Sequence, residues 1–170
     1  MHKPEQNEYD PYYERYVSLV ENDEIIKTLS GQPADMRALF AEMTEEKDSF
    51  AYADGKWTIK ELLGHIIDGE RMFGYRVFRI SRGDMTPIEG FEQDGYIENA
   101  RSNSRGLSDL LDEFELLRVA NVLMFNNLNA ADWQRMGVAS EKAVSVRALA
   151  YIMAGHVTHH VNILSERYLV

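Results

Sequence analysis

Hydrophobic residues recur with the 3.6-residue period of amphipathic helices in several long stretches, whereas runs of β-branched residues are rare. The clearest helix start is Thr58-Ile-Lys-Glu61, a capping box in which both side chains satisfy backbone N–H groups that would otherwise lack partners. An apolar stripe follows this cap and ends near Gly83. Its members are Ile59, Leu62, Ile66, Phe73, Val77 and Ile80. The pattern predicts a mostly helical protein with one long helix starting at Thr58.

Three other segments have the same periodicity. One runs from about Ser108 to Leu128, and another begins at Ser145, a plausible N-cap, and continues nearly to the end of the sequence. The segment Glu24 to Met43 is also amphipathic, but Gly31 and Pro33 fall inside it. Because proline removes a helical hydrogen bond and clashes with the preceding turn, we expect a kinked or broken helix there.

Four long amphipathic segments predict an all-α protein with the architecture of a four-helix bundle. Residues 83–106 would form its long central loop, with a short helix around Glu92 to Ala100, and residues 12–20 a short helix before the bundle. Internal repeats and Pro/Ser-rich linkers are absent from the sequence. Residues 1–170 are therefore interpreted as one helical domain.

Composition narrows the possible functions. The 170 residues include no cysteine, which excludes thiolate metal sites and cysteine nucleophiles, and leaves His, Asp and Glu as metal ligands. The net charge of −10 disfavours nucleic acid as a partner, because binding a phosphate backbone depends on cationic contacts. Neither an apolar signal core nor a membrane-spanning window is present, so we expect a cytoplasmic protein without a membrane partner.

Four of the five histidines lie on predicted helices. At about 100° per residue, His156 and His160 are about 40° apart and can both reach one ion. His159 points away from the apolar stripe and is the weaker ligand candidate. His65 lies at the edge of its own stripe, on the side shared with Arg76. Three imidazoles can therefore converge from two helices.

Three neutral imidazoles suit Zn²⁺ or Ni²⁺ and leave a coordination position for water or substrate. The spacing alone leaves a second interpretation open, in which these histidines hydrogen-bond backbone or carboxylate groups. Val157 and Thr158 follow His156, so the segment lacks the glutamate of the His-Glu-x-x-His metalloprotease motif and peptidase chemistry is not indicated. If the three imidazoles bind a metal, its affinity should weaken as the pH falls through their free pKa of about 6.5.

Three local motifs resemble those of the DinB-like superfamily, especially its YfiT-like branch. They occur in the family's order, and the resemblance extends from about residue 22 to residue 168. Gly55 to Asp68, with Gly69-Glu70-Arg71, is similar to the first histidine motif. Arg82 to Asp94 is similar to the central loop, and Ala154 to His160 to the terminal histidine motif.

The resemblance implies a four-helix bundle that holds a divalent metal, nickel or zinc, on His65, His156 and His160. It implies a metal-dependent hydrolase, or a transferase that uses a low-molecular-weight thiol, acting on a small-molecule substrate. A homodimer is also expected from the resemblance and from the many large apolar side chains. The alternative is a non-catalytic metal-binding or helical interaction protein, whose ion would brace two helices.

Acidic side chains supply weak candidates for a catalytic role. Asp68 and Glu61 flank His65 at helical spacing and could orient its imidazole or accept a proton. Asp94 lies on the central loop and could act as a general base if that loop folds over the bundle. A solvated helix face explains these carboxylates equally well, so the general base stays open.

Overall fold

A computed structural model describes residues 2–41, 43, 47 and 49–168, and within those ranges the chain is mostly helical. The helices are α1 (Glu14–Val17), α2 (Ile25–Phe40), α3 (Ile59–Ser81), α4 (Gln93–Ala100), α5 (Leu107–Asn126), α6 (Ala130–Trp133) and α7 (Val146–Arg167). Two short strands, β1 (Met136–Ala139) and β2 (Lys142–Ser145), form an antiparallel hairpin. The long helices α2, α3, α5 and α7 make a four-helix bundle, which confirms the predicted fold class.

Two predicted helix starts are confirmed by their caps. The Thr58 hydroxyl accepts a hydrogen bond from the Glu61 N–H, and the Glu61 carboxylate accepts one from the Thr58 N–H at 2.8 Å. The Ser145 hydroxyl likewise accepts from the N–H of Ala148 at 2.8 Å, at the start of α7. These caps set the starts of the two helices that carry the candidate histidines.

The bundle contains parallel neighbours. Thr58, just before α3, bonds the side chain of Asn103, just before α5, while Gly74 late in α3 lies against Asn121 late in α5. The helices α3 and α5 therefore run in the same direction. The connection 82–106 must return the chain along the length of α3, which explains why it is long and why it includes α4, packed on α3.

Of the kink or break expected at Pro33, the break is wrong, because α2 is one continuous helix with Pro33 inside it. Proline cannot donate to the carbonyl of Leu29 one turn earlier, and that carbonyl instead accepts a hydrogen bond from Nη1 of Arg118 at 3.2 Å. A tertiary contact thus replaces the missing helical bond. Gly31 also causes no break, since it lies within the same helix.

The β1–β2 hairpin was not predicted. Ile88 in the central connection donates its backbone N–H to Val138 and accepts one from Ser140, both at 2.9 Å. The hairpin therefore anchors the connection 82–106 beside the end of α3. Its four-residue strands are too short to show a clear two-residue period.

The core consists of two apolar clusters at the two ends of the bundle, each including residues of α2, α3, α5 and α7. The six members of the predicted α3 stripe are all buried. None of the described helices is long and apolar enough to cross a membrane.

Helix α7 approaches the N-terminal segment very closely at Gly155. A Cβ there would lie 2.0 Å from the carbonyl oxygen of Tyr16, which is a backbone atom. We expect Gly155→Ala to lower the free energy of unfolding by roughly 1–3 kcal/mol, measured by urea denaturation, because one of the two segments must shift. The matched control Gly31→Ala meets no atom within 4 Å and should stabilise α2 by about 0.5–1 kcal/mol. Equal effects of the two substitutions would contradict this packing.

Candidate metal centre

Three of the predicted histidines meet inside the bundle. His65 on α3 faces His156 and His160 on α7, and one ring nitrogen from each lies within 4.8 Å of the others. The Nε2 atoms of His65 and His156 are 3.0 Å apart, and all three side chains are buried. The structure thus brings together the three residues predicted as ligands.

The local packing explains this convergence. His156 and His160 lie on successive turns of one helix face, as their angular separation requires. Helix α7 runs antiparallel to α3, and the Tyr168 hydroxyl at its end donates to the carbonyl of Trp57 just before α3. Gly69 lets α3 approach, since a Cβ there would lie 2.8 Å from Cε1 of His156.

The two ring nitrogens of His160 lack hydrogen-bond partners among the described residues. Both Nδ1 and Nε2 are buried. Leaving a buried polar group unpaired costs about 1–3 kcal/mol. Neutral imidazole nitrogens facing one another are the donor set of a divalent transition metal, so the residues present fit such an ion.

Burial also determines the protonation of this cluster. Desolvation lowers the pKa of His65 to about 4, although the negative charge of Asp94 acts in the opposite direction. The pKa of His160 falls to about 3, from burial and then from His65 and His159. Burial lowers the pKa of His156 well below its usual range, and the neighbouring His160 and His65 lower it further. The imidazoles are therefore neutral before any metal binds, and proton competition begins well below the pH of 6.5 expected from the sequence.

His159 occupies a different position. Its ring is half-buried and packs edge-on against Tyr16, with ring centroids 5.4 Å apart. It also contacts the ring of His160. It does not belong to the group of nitrogens that could share one ion within the described part of the chain.

The acidic candidates separate into different surroundings. Asp94 lines the cavity beside the histidines, whereas Asp68 lies in a neighbouring groove with α4 and near Arg71, at 3.8 Å. Burial raises the pKa of Asp68. The Glu61 carboxylate is used in the α3 cap and also accepts from Asn103 at 2.9 Å. Of these three side chains, Asp94 is the one placed at the cavity.

A cavity of about 640 Å³ opens beside His65 and His156. Its walls come from the N-terminal segment, from α3, from the central connection and from the hairpin turn. The side chains contributed by those elements include Tyr12, Tyr13, Tyr16, Phe73, Arg76, Phe91, Glu92 and Ser140. A small molecule can therefore reach the histidine cluster.

Two residues of the cavity, Arg76 and Ser140, were not predicted as site residues. Arg76 lies about three turns after His65 on the same face of α3, so helical geometry could have identified it. Ser140 lies in the turn of the unpredicted hairpin, with a φ of 51°. Its position depends on tertiary contacts, and the sequence contains no local signal for it.

Comparisons with known proteins agree with this architecture. A sequence relative from Geobacillus thermodenitrificans, named a putative metal-dependent hydrolase, is 24% identical over 139 residues, covering 81% of this chain and 78% of the relative. The putative metal-dependent hydrolase YfiT from Bacillus subtilis is 22% identical over 162 residues, covering 94% of this chain and 89% of YfiT.

Solved structures show the same fold. YfiT, described as a probable metal-dependent hydrolase with an unusual four-helix bundle topology, superposes with a TM-score of 0.79 at 18% identity, covering 97% of this chain and 90% of YfiT. A mycothiol-dependent maleylpyruvate isomerase superposes with a TM-score of 0.69 at 11% identity, covering 86% of this chain and 61% of the isomerase. The model of the DinB superfamily matches residues 28–164, and the chain belongs to that family.

Proposed function

We propose that His65, His156 and His160 bind one divalent metal ion, zinc or nickel, and that the protein is a metal-dependent enzyme acting on a small molecule in the adjoining cavity. The observation that carries this proposal is the cluster of three buried imidazoles, with the nitrogens of His160 lacking partners among the described side chains. The names of the two sequence relatives support the same chemistry.

The geometry favours catalysis over a purely structural ion. Within the described ranges, no fourth His, Asp or Glu joins the three histidines. A site with three protein ligands next to a cavity has the form of a catalytic centre, whereas structural sites are usually closed by a fourth protein ligand. A non-catalytic brace between α3 and α7 is the alternative, and it does not account for the cavity.

The residues around the centre can be given distinct tasks. An ion bound to three imidazoles would supply Lewis acidity that lowers the pKa of a coordinated water or thiol. Asp94 lines the cavity and interacts electrostatically with His65, so it is the best placed of the three acidic candidates to take up a proton. Tyr12, Tyr13 and Phe91 provide apolar walls that position the substrate.

Two reaction types follow from the source of the nucleophile. A hydrolase needs only water, whereas a transferase needs an external small thiol because the chain has no cysteine. The structural neighbour named as mycothiol-dependent provides loose support for the thiol option. The hydrolase names of the sequence relatives favour water, so hydrolysis is the first candidate.

An activity screen separates these alternatives. Zinc-loaded, nickel-loaded and metal-free protein would be incubated with activated esters, amides and alkyl electrophiles, with and without a small thiol. We expect turnover only in loaded protein, and its thiol requirement distinguishes a transferase from a hydrolase. The matched variants are His160→Ala, expected to be inactive, and His159→Ala, expected to be active. Equal turnover with and without metal would contradict the proposal.

We also propose that the protein forms a homodimer through an apolar face of α5. Leu116, Val119 and Leu123 lie at helical spacing on that face and are 70%, 50% and 59% exposed. Exposing such an apolar stripe to water is unfavourable. A second copy of the chain, related by two-fold symmetry, would bury it. Light scattering should give the mass of a dimer, and Leu116→Glu with Leu123→Glu should give a monomer. A monomeric wild-type protein at micromolar concentration would contradict this.

A further inference from the structure

Arg76 is a buried cation with few protein partners. Its residue is 3% exposed, and the guanidinium lines the cavity next to the histidine cluster. Among the described residues its hydrogen bonding amounts to one bond, from Nη2 to the Ser140 hydroxyl at 2.8 Å. Its Nε is buried without an acceptor there. The Phe73 ring provides a further contact, 5.9 Å from the guanidinium carbon.

Another buried arginine, Arg118, has hydrogen-bond acceptors for all three of its guanidinium nitrogens. Its Nε and Nη2 donate to the two oxygens of the Glu70 carboxylate at 2.8 Å each. Its Nη1 bonds Gln32 and the carbonyl of Leu29. A buried charge normally requires such a partner, because removing it from water is costly. No ion pair with Arg76 is found in the described part of the chain, so its charge is available to a ligand.

The position of Arg76 connects it to the candidate centre. Phe73 contacts both groups, since its ring centroid is 5.9 Å from the guanidinium carbon and 5.5 Å from the ring centroid of His156. Arg76, Phe73, His65 and His156 line the same cavity, so a ligand anchored at Arg76 can extend along Phe73 toward the histidines. The hairpin fixes the other side of the guanidinium, since Ser140 is held by its backbone bond to Ile88.

The other charges of the cavity limit the ligand. Glu92 and Asp94 line the same cavity and would repel a ligand with several negative charges. A guanidinium presents several N–H donors in a plane that matches a carboxylate. A single carboxylate therefore fits this cavity better than a phosphate does.

We propose that Arg76 binds the carboxylate of a monoanionic small molecule and orients the rest of that molecule toward His65 and His156. That this molecule is the substrate rests on the proposed function, but its binding at Arg76 does not require the metal.

Binding measurements on metal-free protein test the inference, because a carboxylate could otherwise bind the metal itself. Titration calorimetry would compare small aryl and alkyl monocarboxylates, such as phenylacetate, with their neutral amides, such as phenylacetamide, and with inorganic phosphate. For at least one pair we expect the carboxylate to bind about 10- to 100-fold more tightly than the amide, which corresponds to a hydrogen bond with a charged group. Phosphate should bind more weakly than that carboxylate.

Variants assign the preference to Arg76. Arg76→Met should abolish the preference for carboxylate over amide. Arg76→Lys keeps the charge and should retain part of that preference. The lysine variant still tests the role of Arg76 if the methionine variant does not fold. Arg79→Met is the matched control, since Arg79 lies on the same helix but pairs with Asp84 at 2.6 Å. It should keep the full preference.

The inference is overturned if no carboxylate is preferred over its amide, if Arg76→Met keeps the preference, or if phosphate binds most tightly. Failure of the histidine cluster to bind metal would leave these results unchanged. Conversely, a protein that binds metal without any carboxylate preference would refute the role of Arg76 and leave the proposed function standing.

Discussion

Replacing Arg118 with methionine is expected to lower the free energy of unfolding by roughly 3–5 kcal/mol. Arg118 and Glu70 form an ion pair in which both side chains are 1% exposed. Removing one partner leaves the Glu70 carboxylate uncompensated in the bundle interior. It also removes the donor that serves the Leu29 carbonyl, whose helical partner Pro33 cannot provide.

The same substitution at Arg37 is the matched control. Arg37 pairs with Asp112 at 2.5 Å and Glu115 at 2.6 Å, but its side chain is 41% exposed. Exposed ion pairs contribute about 0–1 kcal/mol, so Arg37→Met should change little. Denaturant unfolding of both variants against wild type measures the difference. Losses within 1 kcal/mol of each other would show that burial of the Arg118 pair is not important for stability.

Zinc is expected to stabilise the protein almost equally at pH 7.5 and pH 5.5, with the effect declining only as the pH approaches 4. A ligand that binds only the folded chain stabilises it by about 2.7 kcal/mol at 100 times its dissociation constant. Protons compete with zinc on the folded chain only when they bind its imidazoles. The pKa values of about 4 for His65 and about 3 for His160 place that competition in acid.

The metal-free protein has a pH dependence of its own, with a defined sign. Because the folded pKa of His65 is lower than the unfolded value of about 6.5, the unfolded chain binds more protons between these values. The contribution of the neutral His65 imidazole to stability is therefore fully present above about pH 6.5 and is lost as the pH falls toward 4. The informative quantity is the difference in melting temperature between zinc-loaded and metal-free protein at each pH, with zinc in constant excess. A difference that disappears between pH 7.5 and 5.5 would mean that the imidazoles titrate near their ordinary pKa.

Local sequence signals were sufficient for the bundle helices and for the histidine cluster. The capping residues Thr58 and Ser145 determine where α3 and α7 begin, and helical angles place His156 and His160 on one face. Those angles are properties of a single helix, so they need no tertiary information. The meeting with His65 required only that two amphipathic helices pack along their apolar faces.

Features that depend on tertiary partners could not be predicted in this way. Pro33 indicated a kink or break in α2, but the compensating donor, Arg118, is 85 positions later in the sequence and on another helix. The buried charge of Arg118 interrupts an otherwise apolar face, and a hydrophobic pattern assigns charged residues to the surface. Helical angles place Arg76 on the side of His65, but its burial and its bond to the Ser140 hydroxyl depend on the hairpin. The hairpin that brings Ser140 to the cavity is held by backbone hydrogen bonds to Ile88 in the central connection. Hydrophobic periodicity gives no information about such a contact.

Metal content of four single-histidine variants decides whether His65, His156 and His160 form one metal centre. Zinc would be added to wild type and to His65→Ala, His156→Ala, His160→Ala and His159→Ala, and all five proteins would be dialysed against the same buffer. Inductively coupled plasma mass spectrometry then gives the zinc content, and circular dichroism confirms folding. We expect about one zinc per chain in wild type and His159→Ala, and severe loss in the other three variants, because the ring nitrogens of His65, His156 and His160 form one group among the described residues. Retained zinc in folded His65→Ala, His156→Ala or His160→Ala, or a loss in His159→Ala as large as in these variants, would contradict the three-histidine centre.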